Sequence, residues 1–292
     1  MNLKTLLTLG RTSNLPTVWS NMLAGAVLSG AVFRAPALAL LVGVGSAFYE
    51  GGMFLNDAFD AEVDARERPG RPIPSGLVTR STVFGIGYGL LGAGLGLLFI
   101  AGLVRLTRPG LLPVSAGLGT CAAVLLYNRW HKGHAWSPIV MGACRAGLYA
   151  TAALAIAGRL DSAVLLGGGA LWLYIVGLTH VARFETGSAI DRAWVGAFVL
   201  APLVVSAPQI VAQRNWLAAL CALLSLGWSL RSLSFALQGG KGQIPRAVVT
   251  LIAGVSLVDA LFISLYGAPY GVLAALGCFL ITLKWQRRIP GT

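Results

Sequence analysis

Four of the ten acidic residues in this 292-residue chain fall within eight positions, in Asn56-Asp57-Ala58-Phe59-Asp60-Ala61-Glu62-Val63-Asp64. Asp57, Asp60 and Asp64 stand at i, i+3 and i+7, a spacing that stacks three carboxylates along one side of a helix. Such a group offers hard oxygen donors with no soft ligand beside them, which suits a cation such as Mg²⁺. Mg²⁺ held this way commonly binds the phosphates of a substrate as well. The run is followed by Arg71-Pro72-Ile73-Pro74-Ser75-Gly76, whose guanidinium is suited to phosphate oxygens.

These residues sit in very apolar surroundings. Of the chain, 56% is hydrophobic and only 11% charged, and the mean hydropathy is +0.76. A soluble domain carries about 25% charged residues, so the composition is that of an integral membrane protein. With no long polar stretch, residues 1–292 are expected to form a single transmembrane domain. Carboxylates at a membrane edge are costly to desolvate, and a cluster of them marks a functional site. Met1–Arg11 lacks the basic start, short apolar core and small-residue cleavage site of a secretory signal, so the first span is expected to stay in the membrane.

Ten apolar segments approach the length of a span: Leu15–Phe33, Ala37–Leu55, Thr82–Val104, Leu111–Tyr127, Ser137–Ala157, Val164–Val181, Ala193–Val211, Trp216–Leu237, Ala247–Tyr266 and Tyr270–Trp285. The last two, joined by a short Gly-Pro turn, read either as two helices or as one bent segment. With ten spans and an internal N-terminus, 15 of the 22 Lys and Arg lie in cytoplasmic segments and 5 outside. Nine spans would weaken this positive-inside bias. The net charge of +12 is thereby explained by topology and anionic lipid headgroups, and no nucleic-acid partner is expected. The same topology gathers the aspartates, Arg71, Arg129, Lys132, Arg183 and Glu185 at one cytoplasmic mouth, as a metal–diphosphate site requires.

The combined motif, Asn56-Asp57-x-x-Asp60-x-x-x-Asp64 with Arg71-Pro72-Ile73-Pro74-Ser75-Gly76, resembles the first aspartate-rich motif of the UbiA superfamily of intramembrane prenyltransferases. Asn14 on the first span resembles the family's polar residue there. Tyr127 and Lys132 resemble its tyrosine and lysine after the fourth helix. The resemblance implies an all-α, polytopic bundle of nine or ten transmembrane helices around a central cavity. It implies Mg²⁺ as cofactor, a prenyl diphosphate and a lipophilic, aromatic-type acceptor as partners, and a location in the bacterial inner membrane. Asp57, Asp60 and Asp64 would ligate the metal. Arg71 and Lys132 would stabilise the departing diphosphate. Asn14, Asn56, Arg68, Tyr127, Arg129 and Arg183 would support the metal–diphosphate site.

The second motif departs from the family's repeated aspartates. In Thr179–Asp191 only Glu185 stands where the first acid belongs, and Asp191 follows six residues later. These two are the remaining candidate metal ligands, and Arg183 would contact phosphate directly. The divergent UbiA-like branch found with ebo gene clusters is similar in this respect. The thinned motif also admits a carrier that binds a prenyl diphosphate lipid without transferring the prenyl group.

Other features read as structure. Cys121, Cys144, Cys221 and Cys278 fall inside apolar segments without a CxxC pair and are expected to be small buried hydrophobes. His131 and His134 lack a third soft ligand for zinc. Gly87-x-Gly89-x-x-Gly92 has no preceding strand and is not a dinucleotide site; these glycines, with Gly85-x-x-x-Gly89, suit close helix packing. Glu50, Arg145 and Asp259 lie deep in spans, where Arg145 is expected to pair with Asp259 or Glu50, or Glu50 to extend the site. Phe48, Tyr49, Phe54, Tyr149, Trp172 and Tyr174 are candidates to line a prenyl tunnel.

Overall fold

The structure, a computed structural model, describes residues 3–183, 195–238 and 242–289. Among these residues there are eleven α-helices and no strand. A short helix α1 (Leu3–Leu9) and a 3₁₀ turn (Thr12–Asn14) precede ten helices that fall on the ten apolar segments. These are α2 (Leu15–Leu28), α3 (Ala35–Glu67), α4 (Arg80–Leu103), α5 (Leu112–Trp130), α6 (Ser137–Ala157), α7 (Ser162–Arg183), α8 (Val195–Gln213), α9 (Trp216–Gln238), α10 (Gln243–Ser264) and α11 (Pro269–Gln286). Seven of the described helices are each long and apolar enough to cross a membrane. The protein is an all-α, polytopic integral membrane bundle.

The ends of α10 and α11 settle the alternative at the Gly-Pro turn. Gly267 takes a left-handed φ of 67° and Pro269 opens α11, so the chain reverses and makes two helices. Gln286, at the end of α11, donates to Asn14 Oδ1 at the start of α2 over 3.0 Å. The two ends of the ten-helix series therefore meet on one side of the bundle.

α10 forms the centre. It packs against α2, α7, α9 and α11, and its residues from Ala253 to Ser264 are all buried. α2 is short, about 21 Å at 1.5 Å per residue, and nearly all of it is buried between α3, α6, α10 and α11. Outer helices α4, α5, α8, α9 and α11 instead expose Phe99, Leu118, Val204, Leu223 and Leu280. Apolar side chains on that rim face lipid and satisfy no core, which is what a bilayer solvent permits.

Close helix contacts rest on particular glycines. A Cβ on Gly25 would stand 2.6 Å from the Tyr149 carbonyl oxygen, so α2 touches α6 backbone there. Gly51 and Gly87 do the same for α3 and α4: a Cβ on Gly87 would meet Leu55 Cγ at 2.6 Å. The expected Gly85 and Gly89 pair is not the packing pair, because nothing lies within 4 Å of a Cβ at either position.

α3 positions the site. Its 33 residues span about 50 Å, against about 30 Å of hydrocarbon. The aspartate cluster stands in its last three turns, where a helix of that length emerges at the membrane edge. The following loop folds back on α3. Ser75 N–H donates to the Arg71 carbonyl over 2.9 Å, and Gly76 takes φ 76°, a conformation that favours glycine. α1 braces the same region, with Leu9 buried against Phe54, Ala58, Val78 and Val83.

Candidate functional site

Asn56, Asp57, Asp60 and Asp64 are all buried, each less than a tenth exposed. At 100° per residue, Asp57 and Asp64 lie roughly 20° apart around α3, and Asp60 lies roughly 60° to one side of Asp57. The cations follow that division. Arg71 Nη1 stands 3.1 Å from Asp57 Oδ1 and 3.0 Å from Asp64 Oδ2. Arg11 Nη2 reaches the same Asp57 Oδ1 at 3.2 Å and Asn56 Oδ1 at 3.1 Å. Asp60 turns the other way, to Lys132 Nζ at 3.0 Å and His131 Nε2 at 3.5 Å. The three carboxylates therefore do not converge on one point. Among the described residues no three His, Cys, Asp or Glu side chains form a ready metal cage.

Each carboxylate is partnered by a cation on another segment. Arg11 comes from the turn after α1, with φ 43°, Arg71 from the α3–α4 loop, and Lys132 from the loop after α5. A neighbouring polar pair fixes α3 against α5. Asn56 Nδ2 donates to Asn128 Oδ1 at 3.3 Å, and Asn128 Nδ2 donates to the Gly52 carbonyl at 2.8 Å.

Beside the Asp57–Asp64 seam opens a cavity of about 280 Å³. Arg11, Arg68, Arg71, Asn14, Tyr127 and Asn128 line it on the side of that seam, and the rest of the lining is mostly apolar, with Phe48, Leu148, Ile175, Ile252 and Val255, but includes Arg145. Tyr127 stacks on His131 with ring centroids 4.9 Å apart. Of the six tunnel candidates, Phe48 and Tyr49 line this cavity. Phe54 belongs to the α1 cluster, Tyr174 donates to the Leu251 carbonyl and Trp172 to the Ile139 carbonyl. Tyr149 is wholly buried.

The other candidates divide between this cavity and a second recess of about 470 Å³. Lys132 and Arg129 line that recess together with Asp60, Glu62, Arg80 and His131. The Arg129 guanidinium lies over the Trp130 ring, 5.7 Å from its centroid. Arg183 ends α7 and donates to the Ala135 carbonyl at 3.4 Å. Glu185 and Asp191 lie outside the described residues. The four cysteines are free and lie within helices.

Arg145 and Asp259 do not form the direct ion pair expected of them. Arg145 Nη1 donates to Asn21 Oδ1 at 2.8 Å, and Asn21 Nδ2 donates to both Asp259 oxygens at 3.0 and 2.9 Å. Glu50 accepts from Thr12 at 3.4 Å. Sequence reasoning missed the parts played by Arg11, Asn21 and Asn128. An arginine beside a first span is indistinguishable from a topology anchor, and an amide in an apolar run announces no partner.

The described helices thus gather carboxylates and arginines around one mouth of a membrane bundle, above a mostly apolar cavity. The model of the UbiA prenyltransferase family matches residues 15–187, and the chain belongs to that family. Two curated relatives are digeranylgeranylglyceryl phosphate synthases. One, from Metallosphaera sedula, is 29% identical over 145 residues, 50% of this chain and 39% of that protein. The other, from Methanopyrus kandleri, is 41% identical over 83 residues, 28% of each chain. The matches thus span well under two thirds of either relative's length. Among solved structures, one of digeranylgeranylglyceryl phosphate synthase in membranes superposes with a TM-score of 0.63 at 18% identity, covering 89% of this chain and 97% of that one. A UbiA homologue from Archaeoglobus fulgidus, bound to DMAPP and Mg²⁺, superposes with a TM-score of 0.52 at 14% identity, covering 92% and 99%. At these identities the likeness is one of fold.

Proposed function

We propose that this protein is a Mg²⁺-dependent prenyltransferase that ionises a prenyl diphosphate at the polar mouth and passes the prenyl group to a lipophilic acceptor inside the membrane. The observation that carries this reading is the cavity itself, cationic and carboxylate-flanked at the mouth and mostly apolar beyond it. That is the polarity of a prenyl diphosphate. The names of the relatives add a prenylated glycerol phosphate to the aromatic compounds as a candidate acceptor. In this reading residues 1–292 act as one unit, and the positive-inside bias supports a mouth that faces the cytoplasm of the plasma membrane.

The donor set suits Mg²⁺. Asp57, Asp60 and Asp64 are buried carboxylates bound by side-chain cations, so a divalent ion can exchange for those partners without stranding a charge. Asp57 and Asp64 would hold it, with Asp60 from the flank and Glu185 and Asp191 from beyond α7. When bound, Mg²⁺ neutralises charge that grows on the leaving diphosphate. Arg11 and Arg71 then turn from the carboxylates to phosphate oxygens, supported by Asn56, Asn14, Tyr127 and Arg68. Lys132, Arg129 and Arg183 supply positive charge from the rim. The C1–O bond breaks with its electron pair going to the diphosphate. The resulting allylic carbon bonds the acceptor nucleophile, whose proton passes to the released diphosphate. Phe48, Leu148, Ile175, Ile252 and Val255 keep water from the cation during its lifetime.

A purified preparation in nanodiscs, given geranylgeranyl diphosphate, Mg²⁺ and candidate acceptors, is expected to release inorganic diphosphate and form a prenylated product by mass spectrometry. No release, with Asp57→Ala and Asp60→Ala indistinguishable from wild type, sinks the reading. A second reading, a carrier that binds the diphosphate lipid without transfer, draws on the thinned acidic motif at Glu185. Tight Mg²⁺-dependent binding without turnover selects it.

A further inference from the structure

Arg145 lies mid-helix on α6 and lines the apolar part of the cavity. It stands over the Tyr49 ring, 5.3 Å from the centroid. Tyr49 precedes Asp57 by eight residues on α3, so the guanidinium sits roughly 12 Å along that helix from the first carboxylate. The cation is therefore well inside the bundle, apart from the arginines of the mouth.

Its attachment to the protein is incomplete. Among the described residues its hydrogen bonding is the single one from Nη1 to Asn21 Oδ1, leaving most of its five N–H donors without a protein acceptor. Asp259, the nearest counter-charge, is fully satisfied elsewhere. It accepts from Ser20 Oγ at 2.5 Å, from Tyr149 Oη at 2.6 Å and twice from Asn21 Nδ2. Asn21 thus stands between the two charges and relays the pull of Asp259 while keeping it out of contact. Arg145 is only partly buried, because its guanidinium opens onto the cavity, and a cation inside a membrane bundle is costly unless an anion or several acceptors meet it. The α2–α6–α10 network fixes the orientation of Arg145 and leaves its remaining donors for something that enters the cavity.

We infer that Arg145 is the anchor for an oxyanion, a carboxylate or a phosphate monoester, carried by the acceptor. The inference rests on the prenyl-transfer reading and adds the acceptor's chemical class to it. With the diphosphate at the mouth and the acceptor's anion at Arg145, the allylic carbon and the nucleophile meet between two fixed cationic points. Asn21 and Asp259 act as positioning residues through the guanidinium.

The test compares charged and neutral acceptor probes in nanodiscs. Geranylgeranylglyceryl phosphate is set against geranylgeranylglycerol, and 4-hydroxybenzoate against its methyl ester. Geranyl thiolodiphosphate with Mg²⁺ reports the donor site separately. Wild type is expected to bind one anionic probe about tenfold tighter than its neutral counterpart, the usual reach of a charge-assisted pair. Which probe does so identifies phosphate or carboxylate. Arg145→Gln is expected to bring that preference below about twofold while leaving thiolodiphosphate affinity within about twofold. Should the single variant misfold, Arg145→Gln/Asp259→Asn removes both intramembrane charges together and gives the same comparison. The inference is overturned if neither anionic probe is preferred by wild type, or if the preference survives the substitution. It is also overturned if thiolodiphosphate binding weakens in parallel, which would give Arg145 to the donor. Absence of thiolodiphosphate binding in wild type would instead count against prenyl transfer, and the anion preference would still decide the role of Arg145.

Discussion

Arg11 and Asp57, 46 positions apart in sequence, meet through Nη2 and Oδ1 at 3.2 Å. The contact ties the turn before the first long helix to the carboxylate that opens the aspartate motif. It also sets a cation that the sequence gives no reason to single out at the mouth of the cavity. Arg11 is held there by its backbone: φ is 43°, and Leu9 is anchored under α3 and α4. The side chain consequently has one mouth to serve.

Arg11→Gln is therefore expected to weaken Mg²⁺-dependent binding of geranyl thiolodiphosphate by about tenfold or more, the loss of one charge-assisted hydrogen bond at about 1.5–3 kcal/mol. Lys4→Gln, an exposed cation on α1, is the control and should leave the affinity unchanged. Isothermal titration of the two variants reads the difference. Equal affinities for Arg11→Gln and wild type would remove Arg11 from the site.

The proposed exchange of Arg11 and Arg71 for Mg²⁺ at Asp57 and Asp64 makes a second expectation. Stripping divalent ions with EDTA should abolish diphosphate release, and Mg²⁺ should restore it. Asp57→Asn should lose at least about a hundredfold in turnover, because an amide cannot hold the ion that stabilises the departing charge. Fold is monitored by the thermal transition of the same preparations. Full activity in EDTA would refute the metal requirement.

The side of the membrane can be read chemically. The α3–α4 loop carries Ser75, whose hydroxyl donates to the Pro72 carbonyl at 3.3 Å, close to the mouth. A Ser75→Cys protein in sealed right-side-out vesicles should resist a membrane-impermeant maleimide and react after permeabilisation. The native cysteines lie within helices, and wild-type protein supplies their background. Labelling of sealed vesicles would place the mouth outside and reverse the charge-based orientation.

The long helices were legible because apolar length is a strong signal, whereas the choice between nine and ten needed the reversal at Gly267, and the short α1 left no such signal. The carboxylates were legible because three acids at the end of an apolar span are costly to desolvate unless cations meet them. Their grouping was not. An i, i+3, i+7 series covers about 60° of helix surface, and only the positions of the Arg11, Arg71 and Lys132 segments decide that Asp60 faces away from the cavity. Arg129 and Lys132 shared one loop with Tyr127 in sequence, yet a helix end sends Tyr127 into the cavity and the two cations to the outer recess. The Asn21 relay was invisible for a related reason. An amide between two charges depends on three helices meeting, and single-segment periodicity carries no trace of that.

Gly25 is where that three-helix meeting is most sensitive. A Cβ there would stand 2.6 and 2.7 Å from the Tyr149 carbonyl oxygen and Cα. Those are backbone atoms of α6, so no side chain can swing aside, and α2 must move away from α6 as a unit. Tyr149 is also the residue whose hydroxyl bonds Asp259, so the displacement would loosen the relay beneath Arg145. Gly25→Ala is expected to cost about 1–3 kcal/mol from overpacking, lowering Tm by roughly 2–4 °C per kcal/mol for a protein of this size. Gly85→Ala is the matched control. Its Cβ meets nothing within 4 Å, and alanine is the better helix former by about 1 kcal/mol, so Tm should hold or rise. Thermal unfolding of both variants in detergent micelles measures the difference. A Gly25→Ala protein as stable as the Gly85→Ala one would mean that α2 and α6 are not in backbone contact, and the positioning of Arg145 through them would fall with it.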